Sequence, residues 1–572
     1  MKKFSRLYCL LLILLGPSIY GIAQTSAAQQ ASTQTISGLG TANFPTSTHS
    51  PEAQTNFIRG LLLLHVFEYD DAAKAFQSAQ KIDPTFAMAY WGEAMTHNHP
   101  VWNELDVPAG QAALNKLAPN PEARAALTTD PRQRAYLAAV EILYTGKGTK
   151  PERDALYATA MQKLAEAYPS DDEAQLFYSL ALLGRSEGVR DVPVYLQAAA
   201  IAKAAYERNP DHPGAAHYWI HGMDDPDHAT GALVAANALS RIAPDAGHAQ
   251  HMCSHIFMAL GMWDAVVEAN LQGMRVVNDQ RRAMGRPILE CGHYVIWLQY
   301  AYDQLGRHKE AYEQLAACQS TGKDSLAWMD AHPGESFSSA SARQRLMERV
   351  NSSLVTMRGA AVIESRQWNG AAASMIVDTA NLGTDAGWDA FTTGYAAAQR
   401  EDLSTAQTSL KKLHQVAQTY HADPKAEQET ATYLDILADD LSGLISSKTG
   451  NLPVAITQVQ RASTTYDNMA FDFGPPPIFK PPQELLGELL LKDRKPQQAV
   501  EAFRSSLKRA PNRSLSLLGL ARAQDASGDK AAAVATYKEL LAIWKTADAD
   551  SQDVAEAQRH VTAASNKRAS GD

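Results

Sequence analysis

His217 and His221 recur as His251 and His255, each pair four residues apart and the two copies 34 residues apart. Four residues is about one helical turn, so each pair projects from a single helix face. Thirty-four residues is the period of a stacked helix-hairpin repeat, which sets the second pair at the same phase of the next equivalent helix. With Gly261 ending its helix, His248, His251 and His255 fall at positions 2, 5 and 9 of that helix. They span an arc of roughly 60°. His217 and His221 take positions 5 and 9 one repeat earlier, and His293 takes position 2 one repeat later. Neutral imidazoles that converge at about 2.0–2.2 Å hold zinc, copper or iron. The predicted metal set is therefore His217, His221, His248, His251, His255 and His293, with room for one or two ions. Asp224, Asp225, Asp227 and Glu290 lie near in sequence, as further ligands or as acceptors that fix the imidazole tautomers.

The competing reading is polar lining of a groove, with the histidines holding a peptide carboxylate. Six at matched phases favour an ion or small ligand, because crowded imidazoles otherwise lack polar partners. The remaining histidines look unrelated. His97 and His99 end a helix before Pro100, and His65, His308, His332, His414, His421 and His560 read as isolated surface residues. Enzyme signatures are absent. Tyr218 follows His217, so the pair lacks the Glu of a metalloprotease helix, and no G-x-S-x-G elbow, phosphate-binding glycine loop or haem attachment site occurs.

The elements that must position these residues are short helices. Gly60, Ala72, Phe76, Ala79 and Pro84 follow the tetratricopeptide pattern of small residues, aromatic and proline, and Gly487, Ala499, Phe503 and Pro511 repeat it. Small residues are needed where close-packed helices cross. The expected fold is all-α, a right-handed tetratricopeptide-like solenoid of helix hairpins with irregular insertions. Its expected divisions are a leader at 1–23, a disordered lead-in at 24–50, repeats at 51–102, and a helical connector at 103–150. The histidine-rich repeats then occupy 151–317, an irregular insertion 318–340, further repeats 341–470, a Pro-rich segment 471–482, C-terminal repeats 483–564, and a tail 565–572. The Pro-rich segment, Phe473 to Pro482, must run extended, as a rigid spacer or as one wall of a pocket.

The chain resembles a group of exported bacterial tetratricopeptide-repeat proteins. The likeness is carried by Phe67–Ala72 with Ala89–Met95, His212–Tyr218 with Ile220 and His221, and His248–Met252 with Ser254–Phe257. It implies the repeat fold and transfers no reaction. Cys253 departs from the pattern, which has proline between Met and Ser.

Lys2, Lys3 and Arg6 before the apolar run Leu7–Leu15, with small residues up to Ala23, read as a secretory signal. A periplasmic or secreted protein is expected. No later stretch offers about 18 apolar residues, so no membrane span is expected. The net charge of −10 argues against a nucleic-acid surface. After signal removal Cys253, Cys291 and Cys318 remain, an odd number, so at least one thiol is unpaired or ligating. The function read from these features is a groove that binds a protein or peptide segment or a small molecule, with a transition metal at its histidines. The alternatives are a metalloenzyme, hydrolase or oxidase/oxygenase, built on the same site, and a metal-free protein–protein scaffold.

Overall fold

Phe76 shows how the repeat closes. A Cβ on Gly60 would stand 2.8 Å from its ring, and one on Gly92 2.4 Å, so the ring fills the space left by two glycines on successive helices. Phe503 occupies the same position between Gly487 and Gly519. Ala72, Ala79 and Ala499 beside them are fully buried. The small-residue pattern thus reflects contact distance, which a larger side chain would break.

A computed structural model of the chain describes residues 33–570 apart from 146, 186–189 and 472. Among these residues there are 26 α-helices, and consecutive helices pack as hairpins along the chain in a tetratricopeptide-like solenoid. No helix among the described residues is long and apolar enough to cross a membrane. The expected leader, 1–23, lies outside the described residues.

Three expectations about the insertions need correction. Residues 33–50, expected to be disordered, fold into the antiparallel strands Gln34–Ile36 and Gly40–Ala42 and bury Leu39, Ala42 and Phe44. The Thr41 amide donates to Asp211 O and the Asp245 amide to Gly38 O, so distant repeat turns supply the partners that a polar segment lacks locally. The 318–340 segment is helical for more than half its length, because the His308–Ala331 helix runs through it. The tail likewise continues as the Gln552–Ser570 helix.

The C-terminal repeats return to dock on the central ones. Arg513, fully buried, pairs with Glu364 at 2.6 Å and Glu484 at 2.8 Å and donates to Tyr300 Oη. Burial alone would raise the Glu484 carboxyl, but Arg513 and Lys480 outweigh it and hold it well below the ordinary range. The Ser514 amide donates to Gln304 Oε1 and Trp263 Nε1 donates to Asn512 O. Cys291 and Cys318 form a disulfide that ties the start of the histidine-bearing His293–Gln304 helix to its hairpin partner. Cys253 is a free, buried thiol in the core.

Candidate metal centre

Three helices carry the six histidines, and each is started by a different device. His212 caps the Pro213–Met223 helix, its side chain accepting from the Ala215 amide, with Pro213 at the first turn. The Gly247–Ala259 helix follows Ala246, which has no capping side chain; Glu68, from the first repeat, accepts the His248 amide at 3.0 Å instead. The His293–Gln304 helix begins at Gly292 with φ of 100°, a left-handed conformation that side-chain-bearing residues avoid.

These starts bring all six predicted histidines together as two triads. His217, His221 and His248 form one and His251, His255 and His293 the other, the ligand atoms in each lying within 4.8 Å of one another. The triads adjoin, with the His221 and His255 rings 5.4 Å apart and His248 and His251 5.9 Å apart. His217, His221, His248, His251 and His255 are buried. His293 is accessible, and it stands in the wall of a cavity.

Hydrogen bonds behind the rings fix which nitrogen faces inward. His217 Nδ1 meets His65 O at 2.7 Å; a carbonyl only accepts, so the proton sits on Nδ1 and Nε2 is a bare lone pair. His251 Nδ1 meets Asn270 Oδ1 at 2.6 Å, and the Asn270 amide is oriented by donating from Nδ2 to Val266 O. His255 Nδ1 donates to Asp224 Oδ2 at 2.9 Å. The same Asp224 oxygen lies 3.5 Å from His221 Nδ1, so one carboxylate stands behind one imidazole of each triad. Arg190 pairs with Asp224 and with Asp225, and together with the imidazoles it outweighs burial to hold the Asp224 carboxyl ionised.

The consequence is a cluster of ring nitrogens without partners. His251 Nε2 and His255 Nε2 face each other at 3.3 Å. The Nε2 atoms of His217, His221 and His248 are buried with no hydrogen-bond partner. Burial, reinforced by neighbouring imidazoles, lowers the pKa of His217, His248 and His251 well below the usual value, and burial also lowers that of His255. Neutral rings with inward lone pairs are the form that binds metal. Two nitrogens on one tetrahedral ion at about 2.0–2.1 Å stand about 3.3 Å apart.

Aromatic rings close the chamber. Phe67, a bulky residue held at φ of 58°, places its ring 4.4 Å from that of His217 and 5.5 Å from that of His248. Such a conformation in a non-glycine residue persists only where surrounding packing enforces it. Phe473 stacks on His255 at 5.2 Å, Gly474 lies against Trp297, and Trp388 Nε1 donates to Pro477 O. The Pro-rich segment is thus a wall of the chamber.

The other nominated carboxylates are elsewhere. Asp225 serves Arg190 and His228, Asp227 is exposed, and Glu290 takes part in none of the clusters. His65, read from sequence as a surface residue, is completely buried: its Nε2 meets Glu173 Oε2 at 2.7 Å and its Nδ1 meets Tyr218 Oη at 2.9 Å. His212 Nε2 holds the other Glu173 oxygen at 2.9 Å. All ring nitrogens of this trio have partners, so it supports the chamber from behind through His65 O. Its sequence signal was position, since His65 directly follows the buried run Leu61–Leu64. Asn270 was legible likewise, as a polar residue on the apolar stripe of Val266, Gly273 and Met274.

Fold and site together define a tetratricopeptide-like helical-repeat protein with a histidine chamber at its centre. No protein-family model and no curated protein sequence matches the chain. Among solved structures it is similar to the APC/C hetero-tetramer Cut9–Hcn1 at 12% identity and a TM-score of 0.34, over 89% of this chain and 75% of that one. It is similar to yeast Tom70 at 9% identity and 0.26, covering 90% and 96%, and to the human IFIT1 dimer with m7Gppp-AAAA at 12% and 0.29, covering 87% and 91%. None of these likenesses extends to function.

Proposed function

We propose that this chain is a transition-metal protein holding one ion on each histidine triad, and that the ions act on a small molecule admitted beside them. The observation that carries this is the 3.3 Å approach of His251 and His255 Nε2, both bare once Asn270 and Asp224 have taken the Nδ1 protons. Two facing lone pairs repel, and a shared cation turns that repulsion into ligation. An all-imidazole set without a carboxylate ligand suits zinc or copper better than the two-histidine, one-carboxylate iron site. Three protein ligands per ion leave a coordination position open, the arrangement of catalytic rather than structural sites.

A small ligand is favoured over a partner peptide because the Pro-rich segment of the chain itself lies against the chamber, with Phe473 on His255. The reading includes export, which the Cys291–Cys318 disulfide supports. Elemental analysis of native, untagged protein tests the proposal. About two equivalents of zinc or copper per chain are expected. Protein free of metal, and indifferent to both chelator and added zinc or copper, would return the histidines to groove polarity.

A further inference from the structure

A cavity of about 490 Å³ opens on the chamber and touches one imidazole of each triad, His248 of the first and His293 of the second. That volume lies within the range of about 300–1,000 Å³ usual for small-molecule sites. Phe67, Trp102 and Tyr294 give it aromatic walls, and Trp102 is exposed. Arg281 and Arg349 also line it.

These guanidinium groups stand in a cationic cluster. Arg281 donates to Pro287 O and lies near Ser325 Oγ, and burial together with the charges of Arg286 and Arg349 lowers its pKa. Arg286 lies over the Phe337 ring at 3.8 Å. Among the described residues none of the three forms an ion pair with a carboxylate, whereas the buried Arg190 and Arg513 each pair with two. The one carboxylate on the cavity wall, Glu68, is engaged with the His248 amide rather than with an arginine. Like charges held together without counter-charge call for an anion, and the planar guanidinium fork matches carboxylate and phosphate oxygens.

We propose that this cavity binds a small organic oxyanion, its carboxylate or phosphate held by Arg349 and Arg281, its apolar body between Phe67, Trp102 and Tyr294, and its far end at His248. The assignment rests on the metal reading only for that far end; the arginine end stands without it.

Isothermal titration of the native protein with benzoate, phenyl phosphate and benzyl alcohol tests it, with metal content measured on the same samples. Benzoate or phenyl phosphate should bind saturably and at least tenfold more tightly than neutral benzyl alcohol, and the stronger of the two names the oxyanion. Arg349→Gln should weaken that binding at least tenfold with metal content unchanged. Arg349→Lys, which keeps the charge and loses the fork, should weaken it less. Equal binding of all three probes, binding of none, or unaltered binding by a folded Arg349→Gln protein would overturn the proposal. Anion binding to metal-free protein would retain it while removing the metal reading, and metal without anion preference would do the reverse.

Discussion

His251 and His255 stand one helical turn apart with their Nε2 atoms 3.3 Å from each other and their Nδ1 atoms turned outward to Asn270 and Asp224. The spacing follows from the helix, but the inward tautomer follows from Asn270 and Asp224, which belong to other helices or turns. Replacing His251 and His255 together by Gln keeps polarity while weakening ligation. The double variant should stay folded, lose about one of two metal equivalents, and melt at a lower temperature than the loaded parent, since an ion that binds only the folded state stabilises it. Unchanged metal content by elemental analysis would move the site elsewhere.

Asp224 is expected to position two imidazoles rather than to touch metal, through His255 Nδ1 at 2.9 Å and His221 Nδ1 at 3.5 Å. Asp224→Asn should lower metal affinity roughly 10- to 100-fold, the usual effect of removing a group behind a metal-bound histidine. Arg190 keeps Asp225 as a partner, so the variant should fold. Chelator competition would measure the change, and parental affinity in the variant would show that the carboxylate has no such role.

Asp440 supplies a pH dependence that does not involve the histidines. Both its oxygens are buried without a hydrogen-bond partner, and burial, then the Asp439 charge, holds its carboxyl well above the ordinary range. The folded state therefore keeps a proton that the unfolded chain releases above about pH 3.9. Stability from this group is complete below that value and falls as pH rises toward the folded pKa, by up to about 1.4 kcal/mol per pH unit. Asp440→Asn removes the ionisation. The variant should match the parent near pH 4 and melt higher at pH 8; parallel melting curves for the two proteins at both pH values would contradict this.

The repeat packing predicts the cost of added volume. Ala72 is fully buried, and a Cβ on Gly92 would lie 2.4 Å from the Phe76 ring. Ala72→Leu and Gly92→Ala should each destabilise by about 1–3 kcal/mol through overpacking. Denaturant melts that coincide with the parent's would show that the helix crossing tolerates the volume.

Phe76 with its glycines, and the 34-residue echo of the histidines, were legible in the sequence because both obey local periods. A helix sets phase over four residues and a repeat sets it over 34, so the residue types that share a face were fixed before any tertiary contact. The sequence by itself therefore determined the helical hairpins and the six histidines. It did not separate them into triads, since that division depends on the angles between three helices. Nor did it reveal His65 and Glu173 behind His217, Asn270 behind His251, Phe473 against His255, or Arg349 across the cavity from His248. Each of these partners reaches the site from another hairpin or another turn. Their proximity is set by how the hairpins stack and by the return of the C-terminal repeats onto the central ones, where buried pairs such as Arg513–Glu364 join residues far apart in the chain. Periodicity places a side chain on a face; only packing determines what that face meets.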